Sequence, residues 1–284
     1  MGEGAVETLA AREQNARLRL RAAGGVVFDM DGVLYRGNTA LAGVTDLFNA
    51  LELRERPFIL ATNNSMSSPA EYVTKLAGMG VEVGEDRILT AGTATRDYLV
   101  KELPAGAKIY TVGMPALQEQ LFEATSFQPV NFAEELPAAV VVGLDLHFTY
   151  DKLRTAATAI RAGARFIATN ADATLPTEHG LVPGAGSIVA AIATAAGQHP
   201  TIIGKPSARV LEQAAARLGV EPGQAVMVGD RLDTDILAGH RAGMLTVLVL
   251  TGVSTREEIA TAPVLPDLVF TDLQAMLEAL VADE

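Results

Sequence analysis

The chain contains no cysteine. Disulfides, thiolate metal sites and a cysteine nucleophile are therefore excluded. Positive charge is also in short supply: 22 Lys and Arg stand against 34 Asp and Glu, a formal net charge of −12, and no basic tract interrupts that balance. Such a chain is a poor partner for nucleic acid or an anionic membrane, so an anionic substrate has to be drawn in by a local cation. No apolar run reaches membrane-spanning length, the N-terminal stretch MGEGAVETLAAREQNARLRLRAAGG has no signal-peptide core, and no repeat of solenoid period occurs. The expectation is a soluble cytoplasmic protein.

What is present is ample apolar material, 49% of 284 residues, enough for one large α/β domain or two moderate ones. Short apolar runs alternate with longer amphipathic stretches. GGVVFDM, PFILATNN, PTIIGK, AVMVGD and LTVLVLTG read as strands, with helical stretches such as GVTDLFNALELRE, SSPAEYVTKLAGMG and SARVLEQAAARLG among them. In the second of these helices Ser67 or Ser68 can cap the start, Pro69 suits the first turn, and Gly80 ends it. Near-continuous apolar strands between helices predict a parallel sheet covered on both faces, with sites at the carboxyl ends of its strands. A middle block with its own strand–helix pattern reads as an inserted second α/β domain over residues 86–182, between core segments 23–85 and 183–284, after a leader of residues 1–22 that is a short helix or unstructured.

Four of the outer strand ends carry polar residues of particular kinds: Asp29 and Asp31; Thr62-Asn63-Asn64; Lys205; and Asp230, with Asp233 and Asp235 beyond it. Each has a bland reading. Asp-x-Asp-Gly also opens calcium loops, although no Glu stands at the twelfth loop position from either aspartate. Asn-rich strand ends are commonly loops, a lone lysine is commonly a solvated one, and an acidic helix start is favoured by the macrodipole. On one sheet edge, the four together describe a chemistry. Carboxylates without His or Cys favour a hard cation, magnesium first. A lysine beside that cation neutralises a phosphoryl group, and Thr62 and Asn63 donate to its oxygens. An ionised aspartate can attack phosphorus. If the strand continues, Asp31 points to the same side as Asp29 and can protonate the leaving oxygen.

The stretches FDMDGVLYRG, ATNNS, IIGKPS and VGDRLDTDILAG resemble the four motifs of the haloacid dehalogenase (HAD) superfamily. DGVLYRG, GLDLHFTYDKL, IATNADATLP and PGAGSIVAAI resemble its subfamily IIA, the NagD-like and p-nitrophenyl phosphatase-like branch. The resemblance implies a Rossmann-like core with a large inserted α/β cap, and a magnesium-dependent phosphatase acting on small phosphorylated metabolites through an aspartyl phosphate. It implies Asp29 as nucleophile, Asp31 as general acid/base, and Thr62, Asn63 and Asn64 as the phosphate loop. It implies that Lys205 stabilises the phosphoryl group, that Asp29 and Asp230 hold magnesium by side chain and Asp31 by its backbone carbonyl, and that Asp235 stands behind them. In the cap it points to Asp145 and the Asn170, Asp172 and Leu175 loop as substrate contacts. A phosphotransferase or mutase on the same core and a non-catalytic phospho-ligand sensor are the alternatives. The resemblance also leaves a cap-mediated homodimer open.

Overall fold

The computed structural model describes residues 9–131, 135–177 and 180–282. It divides into two compact units. One comprises Met1–Ala61, Val73–Ile88 and Leu211–Glu284, the other Thr62–Tyr72 and Leu89–Val210.

The first unit is built on a six-stranded sheet whose spatial order is Leu268–Phe270, Leu245–Val249, Ala225–Gly229, Gly25–Phe28, Phe58–Thr62 and Ile88–Thr90. Gly25–Phe28 lies inside the sheet, paired in parallel with strands on both sides, Val26 opposite Val226 and Phe58. All four of its residues are buried, as a strand covered on both faces requires. Helix Val44–Leu53 turns Val44, Leu47, Phe48 and Leu51 inward at helical spacing. Phe48 stacks on Phe58 with centroids 4.3 Å apart, and Phe28 meets both rings at 5.7 and 6.2 Å. Such ring pairs add about 0.5–1.5 kcal/mol each beyond the area they bury.

The N-terminal leader is a helix over Leu9–Ala22, and residues 1–8 lie outside the described residues. It is part of the first unit. Ala16 and Leu20 are buried, Arg56 donates to the carbonyl of Leu20 at 3.2 Å, and Arg21 donates to that of Ala279 at 3.1 Å. Helix Pro69–Ala77 begins as its sequence predicts: Glu71 N–H donates to Ser68 Oγ and Ser68 N–H to the Glu71 carboxylate. Among the described residues no helix is long and apolar enough to cross a membrane.

The second unit has a five-stranded sheet in the order Thr201–Ile202, Arg165–Ala168, Ala139–Val142, Lys108–Val112 and Gln128–Pro129, every neighbouring pair parallel. Helices Tyr150–Arg161 and Ala185–Ala196 bury apolar residues, Ala156, Ala159 and Ile160 from one and Ala185, Val189 and Ile192 from the other, in one core with Val140 and Val142 of the central strand.

Two sequence expectations are corrected. The strand read in PTIIGK was placed in the same sheet as Gly25–Phe28, but Thr201–Ile202 pairs with Arg165–Ala168 in the other sheet. A two-residue strand carries too little apolar pattern to declare its partner. The first strand also does not continue past its carboxylates. It ends at Phe28, and the backbone turns at once, with Leu34 N–H donating to Met30 O and Gly32 N–H to Tyr35 O, both at 2.8 Å.

Candidate active site

In the first unit, Asp29 follows the buried strand Gly25–Phe28 and Asp230 follows Ala225–Gly229, its neighbour in the sheet. Asp29 N–H donates to Val228 O at 2.8 Å, which locks the two strand ends in register. Beyond Asp230 a widened helical turn, Leu232–Ile236, brings Asp235 back toward the sheet. Its Oδ2 accepts from the N–H groups of Asp230 and Arg231 at 3.2 and 3.1 Å. Oxygens of Asp29, Asp230 and Asp235 thus lie within 4.8 Å of one another, with Asp230 and Asp235 buried. The sequence reading placed Asp235 behind the metal set; the fold brings its carboxylate into the same cluster.

The cluster is held by backbone and admitted by glycines. Val253 N–H donates to Asp230 Oδ2 at 2.7 Å, and Ser254 N–H to Asp230 O at 3.0 Å. Gly32 has φ +83°, and a Cβ there would stand 2.5 Å from Asp230 Oδ2. Only glycine meets both conditions. Two ionised carboxylates 4–5 Å apart repel by about 3–4 kcal/mol at an effective dielectric of ~20, so three of them favour a cation among them. The donors are all oxygens, with no imidazole or thiolate, which suits a hard divalent ion such as magnesium, calcium or manganese.

Asp31 is not in that cluster. Its carboxyl is lifted above the ordinary carboxylate range by burial of its surroundings, while the Lys75 ammonium and the Gly32 N–H pull the other way. The side chain itself keeps solvent access, which limits how far that lift can run. Lys75 lies 3.9 Å over the ring of Tyr35, a residue that the sequence reading did not single out.

The remaining residues belong to the second unit. Thr62 is buried, and its hydroxyl accepts from Asn64 N–H at 3.1 Å, leaving its own hydrogen to donate. Asn64 Oδ1 accepts from Met66 N–H at 2.8 Å, closing the next turn. Lys205 is buried, 2% exposed. Asn63 reaches it across 142 residues of chain: Asn63 Nδ2 donates to Lys205 O, and Lys205 N–H donates to Asn63 Oδ1, both at 2.8 Å. Asn170 Nδ2 donates to Asn63 O at 2.8 Å, and Asp172 N–H to Asn170 Oδ1 at 3.1 Å. Buried Gln120, for which no sequence signal exists, donates to the carbonyls of Ser65 and Ser67 in the same loop, each at 3.3 Å.

Two of the candidate specificity residues carry structural duties. Asp145 is buried, accepting from His147 N–H at 2.9 Å and from Lys152 Nζ at 2.6 Å just before helix Tyr150–Arg161. Leu175, on a hairpin strand opposite Val182, packs against the apolar core of the unit.

Comparison with known proteins shows the family. A haloacid dehalogenase-like hydrolase profile matches residues 26–126, and a HAD-hydrolase-like profile matches residues 202–276. An acid sugar phosphatase of Staphylococcus saprophyticus is 37% identical over 254 residues, 89% of this chain and 96% of its own length. The chain belongs to the HAD superfamily. Among solved structures, p-nitrophenyl phosphatase from Archaeoglobus fulgidus matches with TM-score 0.85 and 36% identity over 91% of this chain and 99% of that one. A glycerol phosphate phosphatase from Mycobacterium tuberculosis, solved in complex with magnesium, matches with TM-score 0.84 and 34% identity over 91% of this chain and 78% of that one.

Proposed function

We propose that this hydrolase is a magnesium-dependent phosphatase that splits small phosphomonoesters through a phosphorylated Asp29. The observation that carries the reading is the convergence of Asp29 and Asp230, at neighbouring parallel strand ends, with Asp235 from the turn that follows, an all-oxygen group suited to a hard cation. Asp29 and Asp230 would hold the ion by side chain and Asp31 by its backbone carbonyl, while Asp235 fixes Asp230 through the backbone. When bound, magnesium offsets the repulsion between a carboxylate and a phosphate dianion.

An Asp29 carboxylate oxygen attacks phosphorus, and the bond from phosphorus to the ester oxygen breaks. Asp31, with its carboxyl lifted toward the protonated form, gives its proton to the departing alkoxide. It then takes a proton from water as that water attacks the aspartyl phosphate. The bond between phosphorus and Asp29 breaks, the carboxylate is restored and inorganic phosphate leaves. Thr62 Oγ and the ammonium of Lys205 stabilise the charge on the transferring group.

The named relatives act on sugar phosphates, p-nitrophenyl phosphate and glycerol phosphate. Small phosphorylated polyols are therefore the proposed substrate class, with residues 86–182 acting as a cap that selects among them. Release of phosphate from p-nitrophenyl phosphate, and from a panel of sugar and glycerol phosphates, tests the reading. Turnover is expected with magnesium and none with EDTA; equal turnover in both would overturn it.

A further inference from the structure

We infer that Asn63 is a positioning residue that fixes the backbone of Lys205, and that its side chain is not a phosphate ligand. The inference rests on Lys205 stabilising the phosphoryl group. The Asn63 carboxamide pairs with both backbone groups of Lys205, accepting from its N–H and donating to its carbonyl at 2.8 Å each, as a neighbouring strand would. Its Nδ2 also donates to the Asp172 carboxylate, at 3.1 and 3.3 Å from the two oxygens. A carboxamide has two donor hydrogens, and Lys205 O and Asp172 take both. None remains for a phosphate oxygen.

Neighbouring residues are shaped around this clamp. A Cβ on Gly204 would stand 2.6 Å from Asn63 Oδ1 and 2.6 Å from Thr169 O, so a side chain there would force the clamp apart. Gly204 N–H donates to Thr169 O at 2.8 Å, and Asn170 holds the Asn63 carbonyl from the other side. Lys205 is buried, so its ammonium cannot regain its place by swinging through solvent; where the backbone of Lys205 sits decides where Nζ sits. A displacement of about 1 Å at a group that positions the reacting centre can lower the rate about 10²-fold.

The test is a double-mutant cycle of Asn63→Ala and Lys205→Ala, with Gly204→Ala as a second route to the same defect. It is read from kcat/KM on p-nitrophenyl phosphate and from calorimetric affinity for inorganic phosphate with magnesium, so that inactive variants still report. Asn63→Ala is expected to lose about 10²-fold in kcat/KM, mostly in kcat. Gly204→Ala should reproduce that loss with the carboxamide intact, and Asn63→Ala should add little once Lys205 is gone. Multiplying losses in the double variant would mean that Asn63 meets the substrate itself and would overturn the clamp. If Lys205→Ala alone leaves both readouts unchanged, the role given to Lys205 fails instead. Asn63→Asp combined with Asp172→Asn keeps the volume and the hydrogen bond between positions 63 and 172 but removes the donor to Lys205 O. It carries the test if Asn63→Ala does not fold. Recovery of wild-type kcat in that pair would show that only the contact to Asp172 matters and would overturn the inference.

Discussion

The carboxylate cluster of the first unit and the asparagine–lysine cluster of the second use polar side chains in opposite ways. Around Asp230 and Asp235, backbone N–H groups hold the carboxylates and glycines make room for them. Asn63, Asn170 and Asp172 instead spend their hydrogen bonds largely on one another and on the backbone of Lys205. One region presents charge that calls for a ligand; the other is a frame around the backbone of a buried lysine. Polar residues at strand ends therefore need not share a task, even where a sequence motif groups them.

Substitutions break this contrast with graded severity. Asp29→Asn should have the largest effect, a loss of about 10⁴-fold or more in kcat, because an amide neither attacks phosphorus nor holds a divalent ion well. Phosphate release at the wild-type rate, with deamidation excluded by mass, would remove Asp29 from the chemistry. Asp31→Asn should lose about 10²–10⁴-fold on an alkyl phosphate, and less in the phosphorylation step with p-nitrophenyl phosphate, whose leaving group needs little protonation. Equal losses in that step, compared by single-turnover measurement, would argue against proton transfer.

Substitution of Asp145, which lies outside that frame, should act on stability before chemistry. Asp145→Ala removes a buried carboxylate from His147 and Lys152 and should lower stability by about 1–3 kcal/mol, while kcat/KM for p-nitrophenyl phosphate stays within a few-fold. Denaturant melts and kinetics together decide this; a large activity loss at unchanged stability would return Asp145 to the substrate. The smallest effect concerns pH. In the metal-free protein the raised Asp31 carboxyl keeps its proton to a higher pH when folded than in the unfolded chain, so its own contribution to stability follows pH. Stability should then fall as pH rises from the ordinary carboxylate range through the raised value, and the slope should flatten in Asp31→Asn.

Much of the fold was legible because buried parallel strands announce themselves as unbroken apolar runs. Gly25–Phe28 and Ala225–Gly229 are instances, and the aspartates at their ends were visible as candidates for the same reason. What stayed hidden depends on partners distant in sequence. The sheet that receives Thr201–Ile202 is set by pairing with Arg165–Ala168, which a two-residue strand does not encode. The place of Asp235 depends on a widened turn, Leu232–Ile236, that spacing alone does not reveal. The pairing of the Asn63 amide with the backbone of Lys205, 142 residues later, is likewise absent from any local pattern.

The central claim is that phosphate passes through Asp29. The most direct measurement follows p-nitrophenolate release by Asp31→Asn in rapid mixing with magnesium, then treats the acid-quenched protein with borohydride and sequences it by mass. In this variant the activated ester can phosphorylate Asp29 without an acid, while hydrolysis of the aspartyl phosphate lacks its base. The account predicts a burst approaching one p-nitrophenolate per active site and homoserine at position 29. A strictly linear time course with product forming and position 29 unmodified, or a burst with the reduced residue elsewhere, would contradict it.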